Sequence, residues 1–340
     1  MMAGVTQWHI SGAAVQGLRH EEENIPCQDK IFAAAQNGIT AVALADGAGS
    51  AKLSHFGAEE AVRVACELLC EKFREFVDAE DSGEVRRAVL ECLMSELEGI
   101  AQEKGCSIRD LASTLLAVAV DEENVLMLHI GDGLIACCRD GRFFAASLPD
   151  NGEFADETVF VTSGDAFRRM RLYKGKSEGI SGFALMSDGA EFSFYSRRQE
   201  RFSELLNEIK HRCIMYPIDE SSADLEYLFR TVIRENTRDD CSMIIMCRPD
   251  EYFRGYRDLC GEDRADFLGV SRPEKIADCE KVFSMFEGKG FVSRADIIKQ
   301  GCAFGMKRRK IQRLIRELER EGYIERISEN SKTYRLSFCW

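Results

Sequence analysis

The sequence predicts an α+β protein in two parts, a large layered domain followed by a small, basic, mainly helical one. Three observations lead there. Apolar runs of strand length lie before and after two long amphipathic segments, an order that favours segregated layers over a regular βαβ repeat. Charge divides along the chain: residues 1–270 carry 29 basic and 48 acidic side chains, a net −19, and residues 271–340 carry 16 and 10, a net +6. Finally, four aspartates far apart in the chain each sit at the end of a short apolar run.

Taken in order, strands are expected at 5–10, 30–35 and 39–45, followed by helices at 56–77 and 84–104. In the second helix Val85, Ala88, Val89, Cys92 and Leu93 keep the spacing of one buried face. Further strands are expected at 113–120, 124–130, 133–138, 142–147, 158–162 and 182–187, helices at 196–212 and 222–236, and a strand at 241–247. Residues 148–181 are Gly-rich and polar without clear periodicity, which suggests a flap near the site. Residues 248–273 hold Pro249 and Pro273, two of only five prolines, and are read as a linker between domains at 1–247 and 274–340.

The length of 340 residues accommodates two domains. The acidic larger part argues against nucleic-acid binding there, whereas the basic segment is compatible with it. There are fourteen cysteines but no Cys-x-x-Cys pair, so a zinc site is not expected. Cys66, Cys70, Cys92, Cys137 and Cys247 lie among apolar neighbours and read as small core residues. No apolar run approaches the ~20 residues of a membrane span, and the first ten residues lack a signal pattern. The expectation is a cytoplasmic protein with reduced thiols and no membrane partner.

The aspartates carry the chemistry. Asp46, Asp132 and Asp188 each precede a glycine at the end of an apolar run, and Asp239-Asp240 opens the run 241–247. Asp-Gly is also a common hairpin turn, because both residues tolerate positive φ. Asp140-Gly141, between two strand-length runs, reads that way, and Asp132-Gly133 is open to the same reading. Asp46 differs, since 46–51 runs on into a helical pattern instead of returning as a strand. Carboxylates converging at one sheet edge repel one another unless hard cations such as Mg²⁺ or Mn²⁺ hold them.

The order Pro26-Cys27-Gln28-Asp29, Ala45-Asp46-Gly47-Ala48-Gly49-Ser50, Ser113-Thr114, Gly131-Asp132-Gly133, Ser187-Asp188-Gly189 and Asp239-Asp240 resembles the metal-dependent type 2C serine/threonine protein phosphatases, in wording close to a bacterial branch. The resemblance spans about residues 5–247. It implies a central antiparallel β-sandwich flanked by helices, in α-β-β-α layers, with a binuclear Mn²⁺ or Mg²⁺ centre at one end. Asp46 would bridge two ions, the Gly47 carbonyl would bind one of them, and Asp188 and Asp239 the other. Asp132 would help hold a weaker third ion. Asp29 would orient water at the metals, and Thr114 would support the site. Such a centre lowers the pKa of water and neutralises the phosphoryl group, so no protein nucleophile is required. The implied substrate is a phosphoprotein, a serine/threonine kinase or one of its targets. Two positions depart from the family pattern. Gln28 stands where a glutamate is usual, and Asn24 stands where a phosphate-gripping arginine is usual, leaving Arg19 and His20 as the nearest candidates.

The basic segment reads as helices at 274–287, 293–300 and 306–321, then strands at 323–328 and 332–338. Ile311, Leu314, Ile315 and Leu318 form the buried stripe of the third helix. At 100° per residue, Arg309, Arg313, Arg316 and Arg320 fall within an arc of ~60° on the opposite face. The segment looks like a winged helix-turn-helix with Glu329-Asn330-Ser331 as the wing tip, and the arginines are candidates for DNA phosphate contact. Cys302 with Arg308 fits the spacing of cysteine-nucleophile phosphatases, but the preceding residues read as a helix where that loop needs a strand. The alternative to an active hydrolase is a weak or inactive phosphatase-fold regulator acting through the basic domain.

Overall fold

The computed structural model describes residues 8–149, 158–250, 253, 255–270, 272–328 and 331–337. The chain divides into two compact units: a larger one of residues 10–210 and 222–247, and a smaller one of residues 1–9, 211–221 and 248–340.

The elements run β1 (His9–Val15), α1 (Leu18–Glu23), β2 (Lys30–Gln36), β3 (Ile39–Ala45), α2 (Ser54–Asp78), α3 (Ser82–Lys104), β4 (Leu115–Val120), β5 (Asn124–Ile130), β6 (Leu134–Arg139) and β7 (Arg142–Ser147). They continue with α4 (Ala166–Arg169), β8 (Arg171–Lys176), β9 (Ile180–Met186), α5 (Asp188–Phe194), the hairpin strands β10 (Tyr195–Ser196) and β11 (Arg201–Phe202), α6 (Leu205–Met215), α7 (Ile218–Leu228), α8 (Arg234–Asn236) and β12 (Cys241–Cys247).

Two five-stranded sheets form, in the orders β1-β12-β9-β6-β7 and β2-β3-β4-β5-β8. In the second sheet Ala41, Ala43 and Ala45 of β3 share a buried cluster with Ala58, Ala61 and Ala65 of α2. Alanine on both elements removes the side-chain bulk between them, so the helix lies close over the strand. Val42 and Leu44 occupy the alternate face of β3 and are fully buried. β12 packs against both β3 and β2. The result is a mixed α+β unit.

Several expectations are corrected. Residues 158–162 form an irregular stretch instead of a strand, and Val161 N–H donates to the Ser113 carbonyl outside any regular ladder (2.9 Å). The expected flap at 148–181 contains α4 and β8, while 150–157 lie outside the described residues. β8 escapes sequence reading because, as an edge strand, it carries Arg171, Lys174 and Lys176. The expected helix 196–212 begins only at Leu205, its first part being taken by the β10–β11 hairpin. At Asp140-Gly141 the expected turn forms, with φ of 52° and 72° joining β6 to β7.

The smaller unit contains α9 (Gly261–Phe267), α10 (Pro273–Phe283), β13 (Val292–Ser293), α11 (Arg294–Ala303), α12 (Arg308–Arg320), β14 (Ile324–Arg326) and β15 (Thr333–Leu336). Its three-stranded sheet has the order β13-β15-β14. Residues 248–273, expected as a linker, carry α9 and supply Tyr256, Phe267 and Leu268 to the core of this unit. The four arginines of α12 are exposed, and Ile311, Leu314, Ile315 and Leu318 are buried. Arg313 pairs with Glu317 at 3.6 Å, and Arg316 donates to the Gln312 carbonyl. Cys302 lies within α11 and is exposed. Of the expected wing tip, Glu329 and Asn330 lie outside the described residues. Among the described residues, no helix is long and apolar enough to cross a membrane.

Candidate active site

Strand register brings the aspartates to common ends of the two sheets. Lys30 of β2 lies opposite Ala45 of β3, so Asp29 and Asp46, each one residue beyond, close adjacent strands. Leu115 lies opposite Ile130, which sets Thr114 beside Gly131. In the other sheet Met186 of β9 sits between Leu134 of β6 and Met243 of β12. Asp132 before β6, Asp188 after β9 and Asp239-Asp240 before β12 therefore share one end.

Backbone hydrogen bonds fix this end. Asp46 N–H donates to Thr114 Oγ1 and Thr114 N–H donates to the Asp46 carbonyl, both at 2.8 Å. Gly47 N–H donates to the Gln28 carbonyl at 3.2 Å. Thr158 Oγ1 donates to Asp132 Oδ2 at 2.6 Å. Buried His129 stands 3.0 Å from the Gly131 carbonyl through Nε2 and 2.7 Å from Ser147 Oγ through Nδ1, which braces the turn that carries Asp132.

The electrostatics reflect crowding of like charge. Burial, then the charges of Asp29, Asp188, Asp132 and Asp239, hold Asp46 well above the ordinary carboxylate range. Burial, then Asp132 and Asp239, push Asp188 up to about 6 against the Gly189 N–H, which donates to its Oδ1 at 2.6 Å. Burial pushes Asp29 up to about 7, helped by Asp240 and Asp188 and opposed by nearby Ser242 and Ser187. Neither serine closes a hydrogen bond: both Asp29 carboxylate oxygens are buried without a partner among the described residues. Five carboxylates in mutual electrostatic reach, all hard oxygen donors, with two orphaned oxygens among them, fit hard divalent cations. Among the described residues no three His, Cys, Asp or Glu side chains already enclose one ion, so water and backbone carbonyls would complete the coordination.

Arg19 and His20 both lie on α1. Arg19 is exposed, with Nε 3.4 Å from Glu23 Oε1. His20 is buried, with Nδ1 3.0 Å from Asp240 Oδ2. Asn24 ends α1 in the left-handed conformation (φ 56°), a place that asparagine tolerates and arginine does not favour.

Asp240 is the residue that sequence reasoning missed. It is buried, and its Oδ1 accepts from Gly17 N–H (2.7 Å) and its Oδ2 from Gln28 N–H (2.6 Å). Gly17 and Gly189 both abut this segment: a Cβ on Gly17 would lie 2.2 Å from the Asp239 carbonyl carbon, and one on Gly189 would lie 2.1 Å from the Asp240 carbonyl oxygen. The available signal was the doublet itself, since adjacent residues at a strand start point to opposite sides and only one can face the cluster.

Residues 16–226 match the protein phosphatase 2C family model. The chain belongs to the protein phosphatase 2C family. As a member it is a protein serine/threonine phosphatase, and its substrates are phosphoproteins; the family generally depends on Mn²⁺ or Mg²⁺. Among relatives, it is 27% identical to serine/threonine-protein phosphatase 3 of Escherichia coli (strain K12) over 183 residues, which cover 52% of this chain and 72% of that protein. Its fold is similar to a bacterial serine phosphatase crystal structure with a TM-score of 0.50 and 14% identity, covering 72% of this chain and 99% of that one. A single-substitution variant of a bacterial serine phosphatase aligns with the same TM-score and coverages at 13% identity.

Proposed function

We propose that this phosphatase hydrolyses phosphoserine and phosphothreonine in proteins, such as serine/threonine kinases or their targets, at a binuclear Mn²⁺ or Mg²⁺ centre. The observation that carries the reading is the convergence of Asp29, Asp46, Asp132, Asp188 and Asp239. In this reading Asp46, the Gly47 carbonyl, Asp188 and Asp239 would hold the pair of ions, and Asp132 would contribute to a weaker third. When bound, such ions neutralise the phosphoryl charge and lower the pKa of water. Asp29, whose oxygens have no hydrogen-bond partner among the described residues, takes up a proton or orients water there. Thr114 fixes the Asp46 backbone through the reciprocal 2.8 Å bonds. His20 keeps a positioning role, steadying Asp240. Gln28 supplies its backbone to the same scaffold, whatever its amide contributes to metal binding.

The larger unit reads as α-β-β-α layers, and the smaller as a winged helix-turn-helix that contacts DNA phosphates through Arg309, Arg313, Arg316 and Arg320 in a cytoplasmic setting. Exposure of all four side chains supports that reading. Hydrolysis of phosphoserine and phosphothreonine peptides, with and without chelator, tests the catalytic proposal. Activity that survives complete removal of divalent ions refutes it.

A further inference from the structure

We infer that Arg197 grips the phosphoryl group of the substrate, held in position by Glu191. The inference rests on the phosphatase reading above. A phosphate monoester brings up to two negative charges to a site already lined with carboxylates, so a protein cation on its rim lowers the repulsion, and a guanidinium fork suits phosphate oxygens. Of the two residues that the sequence suggests, His20 is buried against Asp240, and Arg19 stands exposed on α1 beside Glu23.

Arg197 is placed differently. Helix α5 starts at Asp188, and Glu191 follows one turn later with a side chain that is 0% exposed. Such a carboxylate is costly to bury alone. Arg197, at the tip of the β10–β11 hairpin, meets it with both forks: Nε to Oε1 at 2.6 Å and Nη2 to Oε2 at 2.8 Å. That uses two of the five guanidinium N–H groups and leaves three. The side chain is 47% exposed, so those donors are reachable from solvent. Through Glu191, one turn after Asp188 on α5, the guanidinium is anchored to the helix that starts at the acidic end of the sheets. Beside it lies Phe192, 77% exposed, its ring centroid 5.7 Å from Cζ of Arg197. A half-exposed cation orientated by a fully buried anion, with a bare aromatic face next to it, is built to receive something from outside. A pair serving only stability gains little from this arrangement, because the desolvation of Glu191 offsets most of the attraction.

The test uses the full chain with Mn²⁺, a phosphoserine peptide and a small aryl phosphate. Arg197→Ala raises KM for both substrates about 10- to 100-fold, as loss of a charge-assisted contact does, with a smaller change in kcat. Mn²⁺ affinity by calorimetry stays within about twofold. Glu191→Gln gives the same KM-weighted signature at lower amplitude. Arg197→Lys, which keeps the charge and loses the fork, falls between and serves if the alanine variant does not fold. Anisotropy of a labelled thiophosphoserine peptide, which resists hydrolysis, reads binding without turnover. An unchanged KM and unchanged anisotropy overturn the inference, as does a loss that follows Mn²⁺ affinity instead of KM. Inactivity of the unsubstituted protein toward all phosphopeptides removes the phosphatase reading, and the anisotropy comparison still decides for or against Arg197.

Discussion

Asp46 bears the charges of four other carboxylates at the point where two sheets end. In the proposed centre it would be a principal ligand. Asp46→Ala therefore lowers divalent-dependent phosphopeptide hydrolysis by at least about 10³-fold, since several kcal/mol of charge stabilisation is lost. The same crowding governs metal-free stability. Asp29 and Asp188 have folded-state pKa values raised to about 7 and about 6, above the ordinary value of 3.8. The folded protein then holds more protons than the unfolded chain, and stability falls as pH rises through that window. With chelator present, Tm declines from about pH 6.5 to pH 8, where buried His129 is neutral in folded and unfolded chains alike; added Mn²⁺ restores it at the upper end. A Tm that rises with pH in chelator contradicts the assignment. The aspartates were legible because a carboxylate ends one apolar run after another, a recurrence that turn chemistry alone does not require. Asp240 and Arg197 were not, since their importance arises from partners 212 residues and six residues away that no local pattern marks.

At the scale of elements, the segment before β12 is held between Gly17 and Gly189, where a methyl group would meet backbone atoms at close to 2 Å. Gly189→Ala pushes α5 from Asp240 and costs about 1–3 kcal/mol by urea denaturation, with weaker Mn²⁺ binding because Asp188 moves with it. Asp240→Asn leaves at least one of the Gly17 and Gln28 amides with a poorer acceptor and costs about 2–3 kcal/mol, from the usual strength of bonds to a charged group. Equal denaturation midpoints for parent and variant would remove Asp240 from its structural role. The helices α2 and α3 were readable because each keeps one apolar period, and β3 and β12 because each is a short, nearly continuous apolar run. β8 and the β10–β11 hairpin were hidden, the first by edge-strand lysine and arginine, the second by strands of two residues. The stretch 158–162 shows the converse error: apolar residues followed a strand-like pattern, but no regular ladder takes them up.

At the scale of the molecule, the separation of charge that was plain in the sequence accompanies the basic face of α12. If that face contacts DNA, log affinity falls linearly with log salt, and replacing Arg309, Arg313, Arg316 and Arg320 together with alanine reduces the slope by up to about four. Binding that ignores salt, or persists in the quadruple variant, assigns the face to another partner. The linker was misjudged because proline and charge mark exposed turns as readily as boundaries, and the buried Tyr256 and Phe267 between them weighed more in folding. One further consequence follows from the Asp240 contacts with Gly17 and Gln28, which close loops of 223 and 212 residues. A ribosome that stalls before codon 240 releases a polypeptide in which those amides have nothing to hold them. The end of the sheets that carries Asp29 thus waits on a carboxylate supplied late in the chain.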